Sequence, residues 1–121
     1  MEDCANGASY LAFQQKLVDP SKLAITGGSA GGYTTLTSLT FTDVFAAGSS
    51  HYGISDIVIL LEETHKFESR YIDNLLAPGA EGRRLAELRS PIYHLDKLNK
   101  PIAFFQGELD KVSLNSLSES V

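Results

Sequence analysis

The sequence contains one cysteine, Cys4. That rules out an internal disulfide and argues against a disulfide-stapled secreted scaffold. A zinc site built on cysteines is also excluded, and no H-x-x-x-H pair occurs among the histidines. No apolar run approaches the ~18 residues that a membrane-spanning helix needs. The first residues, MEDCANGASYLAF, lack the basic stretch and apolar core of a secretory signal. Basic clusters are missing, and the formal charge is −5, so nucleic acid is not an expected partner. There is no N-x-[ST] acceptor, no internal repeat and no low-complexity linker. The cytoplasm is then the default compartment, and neither membrane nor nucleic-acid binding is expected.

What is present fits a folded domain. The 121 residues are 43% hydrophobic and 21% charged, values of a globular chain and not of a disordered one. That length allows one domain or part of one. Apolar residues are spread evenly, and no internal boundary is expected.

Residues 3–17 read as a helix with Cys4, Ala8, Leu11 and Ala12 on its apolar face. Asp19-Pro20-Ser21 reads as a turn. KLAIT (22–26) is short and β-prone, a buried strand. Tyr33, Leu36 and Leu39 then recur at helical spacing between Gly32 and Thr40. VFAAGSS (44–50) reads as a second strand, and His51 to Ser55 as the loop at its end. Asp56 is a candidate cap for a helix over 57–62. Phe67, Tyr71 and Leu75 mark another helix over 65–76, ended by Pro78-Gly79. Ser90-Pro91 resembles a helix start. IAFFQ, after Pro101, is the clearest buried strand. A loop, GELDK, follows, and then a final helix.

Strands separated by helices predict an α/β fold: a parallel sheet with helices on both faces. Ligands and catalytic groups in such sheets gather beyond the carboxyl ends of the strands. Ser29 follows the first strand and Asp110 the last, so both belong to one edge.

The segment AITGGSAGGYT (24–34) carries the chemistry. It fails the dinucleotide pattern G-x-G-x-x-G, because Ser29 or Ala30 stands where the second glycine belongs. It fails the P-loop pattern because Tyr33 stands where the lysine must reach the phosphates. It matches G-x-S-x-G at Gly27-Gly28-Ser29-Ala30-Gly31. In that motif a tight strand-to-helix turn lifts the serine hydroxyl above the sheet. Small residues at ±2 let strand and helix approach. The Ala30 N–H points to where an oxyanion would form, and the new helix favours negative charge there. A plain glycine turn remains the bland alternative.

A serine needs a base, and the base an orienting acid. Asp110 suits the acid and Glu108 is its rival; a solvated loop aspartate is the plain alternative. His51, His65 and His94 are the histidines present. His51 follows a strand, whereas His65 and His94 sit in helical surroundings. Glu62, Glu63 and Glu68 read as a solvated helix face. Tyr33 and Tyr71 are candidates for pocket lining, with core packing the competing role.

Four blocks in order resemble the peptidase-domain core of the prolyl oligopeptidase family of serine peptidases. They are VDPSKLAITGGSAGGYTTLTSLTFTDVFAAGSSHYGISD, THKFESRYIDNLL, RSPIYHLDKL and PIAFFQGELDKV. The resemblance implies an α/β-hydrolase fold and hydrolysis of peptide or related amide or ester substrates through an acyl-enzyme. Ser29 matches the family's nucleophile, and Asp110 its acid in QG-x-x-D-x-V. The Ala30 N–H would supply half of the oxyanion hole. No metal or organic cofactor is implied.

Three departures accompany the match. The family's histidine lies beyond the acid, and no histidine follows Asp110 here. Ser113-Leu114 follow Val112 where the family usually continues Val-Pro. The upstream strands with the second oxyanion donor, and the β-propeller that often restricts substrate size, lie outside residues 1–121. Residues 1–121 are thus expected to be part of a peptidase catalytic domain, without its N-terminal strands and its histidine-bearing C-terminal segment. The alternative is a non-catalytic truncated fragment or pseudoenzyme. A sheet cut on both sides exposes its edges, and self-association through them is expected.

Overall fold

The computed structural model describes residues 1–58 and 79–107. Helix α1 (Glu2–Ser9) continues into a wider π-type turn over Tyr10–Gln14. A short 3-10 turn, Pro20–Lys22, leads into strand β1 (Ala24–Gly28). Helix α2 (Ala30–Phe41) connects β1 to β2 (Ala47–His51). Helix α3 (Gly79–Arg89) and a 3-10 segment, Pro91–Lys97, precede β3 (Ile102–Phe105). The strands form a parallel sheet in the order β1-β2-β3. Gly28 pairs with His51, and His51 with Phe105, so the carboxyl ends of all three strands lie level.

Strand alternation sets the two sheet faces. Ile25 and Ile102 point to one side, where they meet Ala5, Ala8, Leu39, Val44 and Phe45 in the core. Helices α1 and α2 therefore cover that face. Helix α2 is buried from Thr35 to Thr40 although four of those six residues carry hydroxyls. Thr37 and Thr40 donate to the carbonyls of Tyr33 and Leu36 at 3.0 and 2.8 Å, which satisfies them without outside partners. On the opposite face Thr26, Ser49, His51 and Phe105 form a row: Thr26 Oγ1 lies 2.8 Å from Ser49 Oγ, and Ser49 Oγ lies 3.3 Å from His51 Nε2.

The α/β class and the three strands are as expected from the sequence, with shifted boundaries, but β1 and β3 are not the buried strands expected, because the face that carries Thr26 and Phe105 is exposed. Asp19 Oδ1 accepts from the Ser21 N–H at 2.9 Å and from its hydroxyl at 2.6 Å. This cap keeps residues 20–22 in a turn, so β1 starts at Ala24 and runs into the first two glycines. Val44 and Phe45 reach the core from the turn before β2. Of the expected apolar face, Ala12 is buried in the π-type turn, whereas Cys4 and Leu11 are exposed, and Ala5 is the buried residue of α1. Ala5 packs with Leu39 of α2 and with Phe45 in the core.

Helix α3 was not expected. Its two glycines weaken the helical signal, but Gly82, Ala86 and Ser90 are buried at intervals of four. Arg83 and Glu87 pair across one turn at 3.7 Å. Ser90 Oγ donates to Ala86 O at 2.7 Å and accepts from the Ile57 N–H at 2.8 Å, tying α3 to the loop after β2. Asp56 caps as expected: its Oδ1 accepts from the Val58 N–H at 2.8 Å, and its Oδ2 accepts from the Tyr93 hydroxyl at 3.1 Å. The expected helix over 65–76, and most of that over 57–62, lie outside the described residues. Among the described residues no helix is long and apolar enough to cross a membrane.

Candidate active site

Ser29 occupies the single residue between β1 and α2. Its backbone stands at φ 55, ψ −119, in a positive-φ region that costs a non-glycine residue about 1–3 kcal/mol. Two hydrogen bonds hold it there. The Ser29 N–H donates to His51 O at 3.0 Å, and Ser29 O accepts the Tyr33 N–H at 3.1 Å. The first bond belongs to the sheet and the second to the helix. The turn is thus fixed from both sides and the side chain is left exposed.

Close packing explains part of the glycine content. A methyl on Gly27 would run into the Gly31 carbonyl. One on Gly32 would lie 2.5 Å from Gly53 Cα and 2.8 Å from Ser50 Oγ. The reading of small residues at ±2 holds for Gly27; a methyl on Gly31 meets nothing within 4 Å. Ala30 opens α2, where the first N–H groups have no acceptor within the helix. Those groups and the helix dipole make this end favourable to negative charge.

Among the described residues no side chain hydrogen-bonds Ser29 Oγ. His51 lies at the level of the elbow, but its ring stacks on Phe105 with centroids 4.5 Å apart and planes at 8°. Its Nε2 faces Ser49. His94 packs edge-on against Phe41 at 5.1 Å, and its buried Nε2 has no partner among the described residues. Asp110, Glu108, His65, Tyr71, Glu62, Glu63 and Glu68 lie outside the described residues. The chain leaves β3 at Phe105, level with Gly28, so the segment leading to Asp110 departs from the same edge as Ser29. No group of three or more potential metal ligands occurs among the described residues.

Tyr33 is half-buried. Its hydroxyl donates to Arg89 O at 2.9 Å and joins α2 to α3. Burial raises the phenol above its ordinary value of 10.0, against a smaller lowering by the Arg89 cation. The folded form therefore holds this proton more tightly than the unfolded chain. Its contribution is full below pH 10 and is lost as pH rises through the folded value. Urea midpoints measured from pH 8 to 11 are expected to fall less steeply at the alkaline end in Tyr33→Phe than in the unaltered protein.

Sequence reasoning missed Tyr52. It has φ 40, and its hydroxyl and ring edge stand against Gly28, where a methyl would lie 2.7 Å from the phenolic oxygen. No sequence signal marks this contact, because it arises from the pairing of β1 with β2.

A family model described as the prolyl oligopeptidase family matches residues 1–119. Dipeptidyl peptidase family member 6 of Caenorhabditis elegans is 35% identical over 110 residues, covering 85% of this chain and 15% of its own length. Dipeptidyl aminopeptidase BIII of Pseudoxanthomonas mexicana is 34% identical over 116 residues, covering 91% and 17%. Among solved structures, a puromycin-hydrolyzing peptidase of Mycobacterium tuberculosis superposes with a TM-score of 0.87 at 44% identity, covering 98% of this chain and 18% of that one. The chain therefore spans between 15% and 17% of the length of these two curated relatives.

Proposed function

Since the chain belongs to the prolyl oligopeptidase family, with an α/β-hydrolase fold, we propose that residues 1–121 carry the nucleophile of a serine peptidase. They form part of its catalytic domain, and the neighbouring strands and the base come from outside this segment. The observation that carries this reading is the backbone of Ser29, held at φ 55 between a strand and a helix.

The roles follow from the match of Ser29 and Asp110 to the family's motifs. Ser29 Oγ attacks the carbonyl carbon of a peptide or related amide or ester. A histidine from outside the segment takes the hydroxyl proton, and Asp110 orients that histidine. The carbonyl oxygen becomes an oxyanion and accepts from the Ala30 N–H, where the open end of α2 adds to its stabilisation. Collapse breaks the C–N bond, the amine leaves with the proton from histidine, and water then hydrolyses the acyl-enzyme. The names of the relatives, a dipeptidyl aminopeptidase and a puromycin-hydrolyzing peptidase among them, support amides of small peptidyl or aminoacyl groups as substrates.

A fluorophosphonate tests this on the longer polypeptide that contains the segment. Ser29 Oγ forms a P–O bond, the P–F bond breaks, fluoride leaves, and the hydroxyl proton passes to the base. Peptide mapping is expected to find the adduct on Ser29. A folded protein that stays unlabelled there would overturn the reading in favour of a pseudoenzyme. That second reading is favoured for residues 1–121 by themselves, because His51 and His94 are engaged with other side chains.

The isolated segment would also self-associate. Tyr10, Phe13 and Leu17 are exposed on its surface, and β1 and β3 each have one unpaired side among the described residues. Light scattering on the purified segment is expected to give a mass above that of the monomer; a monomer at all concentrations would refute this.

A further inference from the structure

We propose that Tyr52 is a positioning residue for the nucleophile, acting through Gly28. The inference rests on the reading of Ser29 as nucleophile and goes beyond it. Gly28 is not a positive-φ glycine, so backbone freedom does not explain why the residue before Ser29 lacks a side chain. Space does. A β-carbon there would stand 2.7 Å from Tyr52 Oη, 2.9 Å from Cζ and 3.3 Å from Cε2. The Tyr52 ring occupies the volume that a side chain at position 28 would fill.

The ring is directed there by its backbone. Tyr52 stands at φ 40, in the left-handed region, just after β2 ends. Its N–H donates to Phe105 O at 2.7 Å, while His51 O accepts from the Ser29 N–H. Of the three non-glycine residues at positive φ, Lys16, Ser29 and Tyr52, the last two are thus linked through one strand end. Tyr52 Oη has no hydrogen-bond partner among the described residues, so contact of the ring with Gly28, and not a bond from the hydroxyl, is the interaction available. Strain retained at two adjoining positions points to function. A brace on Gly28 limits how far the end of β1 can shift and so fixes the direction of Ser29 Oγ. A displacement of about 1 Å at a reacting atom can cost about a hundredfold in rate.

The tests separate a brace from a merely structural aromatic. The longer polypeptide is labelled with a fluorophosphonate, and kcat and KM are measured on p-nitrophenyl butyrate. Tyr52→Ala is expected to lower the labelling rate and kcat about 10- to 100-fold, with KM little changed. Tyr52→Phe keeps the ring and is expected to stay within about twofold. Gly28→Ala is expected to match Tyr52→Ala while hardly moving the thermal midpoint, since only the free end of a half-exposed side chain must yield. The double variant puts a methyl where the ring was and is expected to react faster than either single variant. If Tyr52→Ala lacks a cooperative transition, Gly28→Ala decides alone.

Rates equal to the unaltered protein in Gly28→Ala, or losses that simply multiply in the double variant, would overturn the brace. So would a Tyr52→Phe variant as slow as Tyr52→Ala. Failure of the unaltered protein to label at Ser29 is a separate result, and it strikes the nucleophile reading instead.

Discussion

Ser29→Gly and Ser29→Ala are expected to lose the same activity and to differ in stability. On the proposed reading of Ser29 as nucleophile, either substitution removes Oγ and costs about six orders of magnitude in kcat. Alanine keeps a β-carbon at φ 55 and therefore keeps the strain. Glycine removes a penalty of about 1–3 kcal/mol and adds about 0.5–1 kcal/mol through the greater freedom of the unfolded chain. The net expectation is a glycine variant about 1 kcal/mol more stable than the unaltered protein. The alanine variant should lie close to the unaltered protein, because no side chain among the described residues bonds Ser29 Oγ. Urea midpoints and turnover of the longer polypeptide check both halves. A glycine variant less stable than the alanine one would show that the elbow stores no strain.

Gly27→Ala and Gly32→Ala are expected to be the most damaging substitutions in the elbow. Overpacking usually costs about 1–3 kcal/mol, with larger losses where nothing can move. Here the obstacles are backbone: the Gly31 peptide opposite Gly27, and Gly53 Cα at 2.5 Å from a methyl on Gly32. Relief requires β1 and α2, or α2 and the loop after β2, to separate. Alanine inside a helix gains about 1 kcal/mol over glycine, which is too little to offset this at position 32. Against a domain stability of about 5–15 kcal/mol, losses of about 3 kcal/mol or more remove much of the folded margin. Gly31→Ala is the control. Its methyl meets nothing within 4 Å, so the helical gain should make it neutral or slightly stabilising. Far-UV circular dichroism during urea unfolding reads all three; equal midpoints would refute the packing argument.

The elbow was legible in the sequence because its physics is local. A β-prone run, small residues around one serine and a helical repeat all lie within residues 22–40. The α/β class was legible for a similar reason, since alternating strand and helix signals leave few arrangements. Other features depend on contacts between distant segments. Which residues of the first helical segment are buried depends on its packing in the core, where Ala5 meets Leu39 and Phe45 while Cys4 and Leu11 of the expected face stay exposed. Helix α3 owes its place to Ser90, which holds the Ile57 N–H across the fold, while its own glycines mask it. The roles of His51 and Tyr52 could not be separated by sequence. They are neighbours, yet one ring stacks on Phe105 and the other leans on Gly28. Asp110 was recognised through the family pattern around it, and it lies outside the described residues.

The ladder from Ser29 through His51 and Tyr52 to Phe105 has a consequence for synthesis of the chain. Helix α2 and the bond from the Tyr33 N–H to Ser29 O are local, and they can form once residues 29–41 are available. The bond from the Ser29 N–H to His51 O needs β2, and the bond from the Tyr52 N–H to Phe105 O needs β3. Contacts so far apart in sequence form late, after the entropy of closing the intervening loops has been met. A nascent chain therefore carries Ser29 in a turn that only its helix holds. On the reading proposed above, the hydroxyl acquires its working direction only after the third strand has joined the other two.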